Sequence, residues 1–89
     1  MATLFAKHTV EDFDAWFQAY NDFDAERRSM GVTGDGVYRA TGNPNDITVY
    51  HHLESTEAAE AFANSERLRD VMSAAGVVGE PMVWIAERV

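Results

Sequence analysis

Cysteine is absent from the chain, and proline occurs only twice. The missing thiols exclude disulfides, thiol catalysis and cysteine-based zinc sites. No run of apolar residues approaches the roughly 20 that a membrane-spanning helix needs. The first residues, Met1–Lys7, lack the basic start and the long apolar stretch of a signal peptide. We therefore expect a cytoplasmic protein with no membrane partner.

Basic residues are also scarce. Seven lysines and arginines stand against fifteen acidic residues, which gives a net charge of −8. A negative surface is repelled by phosphate backbones, so nucleic acid is not an expected partner. The acidity favours solubility, and an acidic binding site is the alternative interpretation.

The chain does contain enough apolar sequence for one core. Its 89 residues are 46% hydrophobic and 11% aromatic, which is typical of a globular protein. This length corresponds to a single domain, which we assign to residues 1–89.

The first third of the chain predicts a strand and a helix. Thr3–Val10 alternates in polarity as a half-buried strand does. Thr9 and Asp12 match a capping box, and the helix that follows is expected to reach about Met30, before Gly31. One helix face carries Phe13, Trp16, Tyr20, Phe23, Arg27 and Met30.

The middle of the chain predicts a hairpin. Gly36–Thr41 and Ile47–Glu54 are typical of strands, and residues 42–46 between them have turn chemistry. A second helix is expected to begin at Ser55 or Thr56, to break near Asn64 and to restart. The last strand is expected at Met82–Val89.

The element order β-α-β-β-α-β predicts a ferredoxin-like α+β fold with a four-stranded antiparallel sheet. Right-handed crossovers place both helical segments on one face of the sheet. The other face then carries Phe5 and Tyr50 without a helix to cover them. A second copy of the chain is the simplest cover, so we expect a homodimer whose sheets face each other.

Two histidines are the first candidates for chemistry. His8 and His51 each lie on the more apolar face of a strand, and the two strands are expected to be antiparallel neighbours. Imidazole titrates near pH 6.5, which suits proton transfer at neutral pH. The alternative is that each is a core histidine bonded to a hydroxyl or a carbonyl.

A metal site is not expected from these residues. His51 and His52 are adjacent in a strand, so they point to opposite faces and cannot bind one ion together. His8 with one of them falls short of the three or four protein ligands that zinc normally takes.

Aromatic residues are candidates for binding a flat ligand, and an ordinary aromatic core is the alternative. These residues are Trp16, Phe17, Phe62 and Trp84. Tyr20 needs a polar partner if its hydroxyl is buried, and we expect it to orient a substrate. Arg27 on the inward stripe can meet an anion at the cavity's edge, or extend its charged end to solvent.

Several segments resemble small dimeric α/β-barrel proteins of the antibiotic-biosynthesis-monooxygenase-like or cyclase-like kind. They are Leu4–Val10 with Asp12–Trp16, Asn43–Asp46, Glu57–Ala59 with Phe62, Ser65–Arg69 and Ala75–Pro81. The resemblance implies a homodimer with a pocket between sheet and helices in each subunit.

The resembling family includes cofactor-independent oxygenases acting on phenols and quinols, polyketide cyclases, lactone isomerases and haem-handling enzymes. The resemblance implies a small enzyme without a bound cofactor that acts on an aromatic or polyketide-like molecule. His8 and His51 would then transfer protons. The alternatives are a ligand-binding or stress-type dimeric barrel protein without turnover, and a protein-interaction module.

Overall fold

The computed structural model describes residues 1–89, which form four strands and four short helices. In chain order they are β1 (Ala2–Val10), α1 (Phe13–Asp22), α2 (Asp24–Ser29), β2 (Gly34–Ala40), β3 (Asn43–Leu53), α3 (Thr56–Ala63), α4 (Glu66–Ala74) and β4 (Val77–Glu87). The strands form one antiparallel sheet in the order β2-β3-β1-β4. The predicted ferredoxin-like α+β fold is therefore confirmed.

Strand β1 lies between β3 and β4 and supplies much of the core. Its alternation directs Leu4, Ala6, His8 and Val10 towards the helices, and all four are buried. Side chains from β3 and the helices complete the core. They include Ile47, Val49, Leu53, Trp16, Ala59 and Phe62.

The helical segments begin and end differently from the prediction. The first helix is divided at Phe23, whose N–H still bonds the Ala19 carbonyl at 3.1 Å, so α2 follows α1 directly. Asp12 caps α1 alone by accepting from the Asp14 N–H at 3.2 Å. The capping box with Thr9 was wrong, because Thr9 pairs within β1.

The predicted break in the second helical segment is confirmed. Helix α3 ends at Ala63, and the Ser65 hydroxyl accepts from the Leu68 N–H at 3.2 Å to cap α4. This cap satisfies a backbone donor that would otherwise be unpaired at the start of the new helix.

Strand β1 begins one residue earlier than predicted, and the other three strands begin at least two residues earlier. β2 begins at Gly34, β3 at Asn43 and β4 at Val77, because strand pairing continues through residues with turn-like composition. Gly79 has a φ of 71° within β4, beside the register shift between Lys7 and Thr9 of β1. An irregularity of this kind is a β-bulge, and glycine adopts such a φ without strain.

The sheet face opposite the helices is called the open face here and is rich in aromatic rings. Phe5 stacks on Trp84 with ring centroids 5.5 Å apart, and Tyr50 lies over Gly36. Tyr38 and Met82 on this face are 63% and 64% exposed. The predicted uncovered face is therefore present, while the homodimer stays a prediction. None of the helices has the length and apolarity needed to cross a membrane.

Candidate functional site

A cavity of about 340 Å³ lies between the helix-facing side of the sheet and the helices. Thirteen of its nineteen lining residues are hydrophobic, which suits an apolar ligand. The polar or charged side chains among the lining residues are His8, His51, Arg27, Asn64 and Arg69, together with the phenol of Tyr20.

His8 and His51 both line this cavity, and each is 6% exposed. They do not lie side by side. His51 is paired with Leu4 across the β1–β3 ladder, four residues before His8. Four residues of antiparallel strand span about 13 Å, so the two imidazoles lie towards opposite ends of the cavity and cannot bond each other.

The ring nitrogens of both histidines have no hydrogen-bond partner in the protein. This holds for Nδ1 and Nε2 of His8 and for Nδ1 and Nε2 of His51. The alternative of core histidines bonded to a hydroxyl or a carbonyl is therefore wrong. Because buried polar groups are normally bonded, these nitrogens are the unsatisfied polar atoms of the cavity wall, and a ligand atom that reached them would satisfy them.

Both histidines favour the neutral form. Burial lowers the pKa of His8, and the charge of Asp46 opposes this change in part. Burial lowers the pKa of His51 to about 4, and the nearby positive charge of Arg27 contributes to the decrease. A neutral imidazole carries one N–H donor and one acceptor nitrogen, so each ring can both give and take a hydrogen bond.

A polar cluster of Tyr20, Arg27, Asp24 and Asp35 lies near His51. The Tyr20 hydroxyl donates to the Asp35 carboxylate. Burial raises the pKa of Tyr20, and the bond to Asp35 adds to the increase, so this phenol stays protonated. Tyr20 also lies beside the His51 ring, with centroids 6.1 Å apart.

Arg27 is held inside the protein by several contacts. Its side chain is 3% exposed and donates to the Tyr20 carbonyl at 2.5 Å and to Asp24 at 3.1 Å. Asp35 lies 3.6 Å from the same guanidinium. The guanidinium carbon is 3.6 Å from the centroid of the Tyr20 ring. Arg27 therefore does not extend to solvent, and only its Nε lacks a partner.

Asp35 was not among the predicted site residues. Its neighbours Gly34 and Gly36 suggested a loop, but the β2–β3 register places Asp35 directly opposite His51. Residues opposite each other in adjacent strands point to the same face. Only the strand pairing reveals this position.

The predicted aromatic residues divide between two places. Trp16 and Phe62 line the cavity, with ring centroids 5.5 Å from His8 and 5.1 Å from His51 respectively. Trp84 does not line it. Val83 of β4 faces the cavity, so the next residue, Trp84, points to the open face and stacks on Phe5.

Phe17 also lies outside the cavity. It is 38% exposed and stacks on Phe13 with centroids 5.3 Å apart. It borders a separate groove with Asp35 and Arg39. The expected role of Phe17 in the same pocket as His8 is therefore not supported by its position.

No group of three or more His, Cys, Asp or Glu side chains is arranged to hold a metal ion. No protein-family model matches the chain, and no curated protein matches it.

Solved structures with the same fold match nearly the whole chain. An antibiotic biosynthesis monooxygenase is 12% identical with a TM-score of 0.76, over 100% of this chain and 99% of that chain. SnoaB, a cofactor-independent oxygenase from Streptomyces nogalater, is 13% identical with a TM-score of 0.75, over 99% and 94%. A conserved protein from Methanosarcina mazei Go1 is 16% identical with a TM-score of 0.77, over 99% and 92%.

At these identities the shared property is the fold. The predicted resemblance to antibiotic-biosynthesis-monooxygenase-like proteins is confirmed at that level. One fold can carry many activities, so the function has to be argued from the cavity.

Proposed function

We propose that this chain is a small enzyme that acts on an aromatic or polyketide-like molecule without a bound cofactor. The observation that carries the proposal is the presence of two buried histidines, His8 and His51, with unpartnered ring nitrogens in one apolar cavity. The shared fold with SnoaB, itself a cofactor-independent oxygenase, supports it.

The common chemical step is proton transfer. A neutral imidazole accepts the proton of a phenol or of a carbon next to a ketone, which leaves a phenolate or an enolate. The Nε–H of Arg27, near His51, is a charged donor that can stabilise the developing negative charge. Cyclisation, isomerisation or attack on molecular oxygen can each follow from such an anion.

Other cavity residues position the ligand. Trp16 and Phe62 offer aromatic surfaces beside the two histidines. Tyr20 contributes its ring to the wall, because its hydroxyl is already bonded to Asp35. Its role is therefore orientation rather than proton transfer.

The proposal includes a homodimer formed through the open face. Tyr38, Met82 and Trp84 are 63%, 64% and 42% exposed there, beside the Phe5 and Tyr50 rings. Large exposed apolar patches are uncommon on monomers, and a two-fold axis can bury the same patch of both copies.

Hydrogen–deuterium exchange tests the proton-transfer step without knowledge of the natural substrate. We expect the protein to accelerate exchange of the C–H next to the carbonyl of 1-tetralone in D₂O, at least about 100-fold over buffer. The double variant His8→Leu/His51→Leu should lose this acceleration. His52→Leu, which alters a histidine on the open face, should keep it. Equal rates with the protein and with buffer would count against the enzyme.

A second candidate function is ligand binding without turnover. It is favoured by the lowered pKa of His51, about 4, because such a weak base transfers protons less readily at neutral pH. Tight binding of an aromatic ligand, with no exchange and no oxygen uptake over hours, would select this function.

A further inference from the structure

The two histidines lie towards opposite ends of one cavity, and their separation restricts the shape of a ligand that can bond both. We propose that the cavity selects an uncharged, elongated apolar molecule with a hydrogen-bonding oxygen at each end, one for His8 and one for His51. This selection rests on the proposed function, since it describes the ligand of the same cavity.

The unpartnered nitrogens require polar atoms at both ends. His8 and His51 are each 6% exposed, and no protein group bonds their rings. A ligand with a single polar group can satisfy one histidine and leaves the other facing apolar surface. An unsatisfied buried polar group is costly, so a ligand that meets both rings is favoured.

The strand register sets the length of the ligand. His51 lies opposite Leu4, four residues along β1 from His8, and both side chains point to the helix side. The four residues span about 13 Å, and a hydrogen bond at each end takes up about 3 Å. The two ligand oxygens should therefore lie roughly 7 Å apart. The opposite hydroxyls of a 2,6-disubstituted naphthalene are spaced in this way.

The middle of the cavity favours a flat hydrocarbon. Leu4, Ala6 and Val49 form its floor on the sheet, between the two histidines. Trp16 and Phe62 lie next to the histidine rings. A polar group in the middle of the ligand would find no partner on this floor, whereas an aromatic ring system matches it.

The charges around the cavity favour a neutral ligand. The positive charge of Arg27 is compensated by Asp24 at 3.1 Å and by Asp35 at 3.6 Å. At the other end of the cavity, Asp46 near His8 is likewise paired, with Lys7 at 3.2 Å. An apolar cavity with compensated charges around it disfavours a charged ligand. A ligand with a carboxylate at each end should therefore bind worse than one with neutral hydroxyls.

Three naphthalenes test this selection by titration calorimetry on the unaltered protein. They are 2-naphthol, with one hydroxyl, 2,3-dihydroxynaphthalene, with both at one end, and 2,6-dihydroxynaphthalene, with one at each end. We expect the 2,6-diol to bind about tenfold more tightly than the other two, as one additional hydrogen bond predicts. Naphthalene-2,6-dicarboxylate should bind more weakly than the 2,6-diol.

Variants of the two histidines then test whether each histidine binds one end of the ligand. His8→Leu and His51→Leu should each remove the advantage of the 2,6-diol over 2-naphthol. His52→Leu should retain it, because His52 lies on the open face. Circular dichroism checks that each variant is folded. If a variant is not folded, the comparison of the three naphthalenes on the unaltered protein still tests the selection.

The possible failures are distinguishable. If 2-naphthol and the two dihydroxynaphthalenes bind equally tightly, the proposed selection for an oxygen at each end of the ligand is overturned and the proposed function stands. If the 2,6-diol keeps its advantage in both folded histidine variants, the assignment to His8 and His51 is overturned. If none of the naphthalenes binds, the proposed function falls and the selection falls with it.

Discussion

The hydroxyl of Tyr20 donates to the carboxylate of Asp35, and this bond joins helix α1 to the edge strand β2. Arg27 packs its guanidinium against the same tyrosine ring and lies 3.6 Å from the same carboxylate. The Asp35 carboxylate thus accepts a hydrogen bond from a phenol and also forms an ion pair with a buried cation. This arrangement holds the part of the cavity wall that faces His51.

The Tyr20–Asp35 bond should contribute measurably to stability. Tyr20→Phe removes the hydroxyl and leaves the partly buried carboxylate with one donor fewer, so we expect the free energy of unfolding to fall by about 1–2 kcal/mol. Urea denaturation measures this change. Gln18→Ala removes an exposed side-chain hydrogen bond from the same helix, the one to Asp22 at 3.2 Å, and should change stability by less than about 0.5 kcal/mol. Equal effects in the two variants would contradict the role of the bond.

The pH dependence of stability follows from His51. Its pKa is 6.5 in the unfolded reference and is lowered to about 4 in the fold, chiefly by burial. Between these values the unfolded chain binds a proton that the folded chain does not. The contribution of neutral, buried His51 to the free energy of unfolding is therefore complete above pH 6.5 and is lost as the pH falls towards 4. The difference in pKa corresponds to roughly 3 kcal/mol.

Denaturant titrations between pH 7.5 and 4 measure this loss. We expect the free energy of unfolding to decrease less in His51→Leu than in the unaltered protein, because Leu does not titrate. In His52→Leu the free energy of unfolding should decrease by as much as in the unaltered protein. The same pH dependence in all three proteins would show that His51 is not the source.

The pattern of β1 was sufficient to predict the face on which His8 lies, since Leu4, Ala6 and Val10 on that face are apolar while Thr3, Lys7 and Thr9 on the other are polar. Strand β4 offered no such contrast. Met82 and Trp84 on one face are as apolar as Val83 and Ile85 on the other. The sequence pattern therefore could not decide the direction of Trp84, which depends on pairing with β1.

The candidate site was predicted in part. The polarity of the strands placed His8 and His51 on the helix side, but their separation depends on the β1–β3 register, which no local pattern encodes. Asp35 was missed for a similar reason. Its flanking glycines favour a loop, and its strand conformation comes from long-range pairing with β3.

Gly36 provides the space that the Tyr50 ring occupies on the open face. A Cβ at position 36 would lie 2.3 Å from Tyr50 Cε2, so Gly36→Ala must displace the ring. We expect a loss of about 1–2 kcal/mol in the free energy of unfolding. In a Tyr50→Ala background the same change should cost little, and a thermal double-mutant cycle measures this coupling. Gly34→Ala, whose Cβ would lie 3.2 Å from His52, should cost less. Additive effects of the Gly36 and Tyr50 changes would refute the contact.

The proposed homodimer is tested by a charge on the open face. Met82 is 64% exposed in the single chain, so Met82→Glu should leave the fold of the protomer intact. Across a two-fold interface the introduced carboxylates would be buried without partners, which is strongly unfavourable. Sedimentation equilibrium should therefore give twice the chain mass for the unaltered protein and the single chain mass for the variant. Ala61→Glu, on the exposed side of α3, should remain dimeric. A monomeric unaltered protein, or a Met82→Glu variant that dimerises as tightly, would show that the open face does not pair with a second copy.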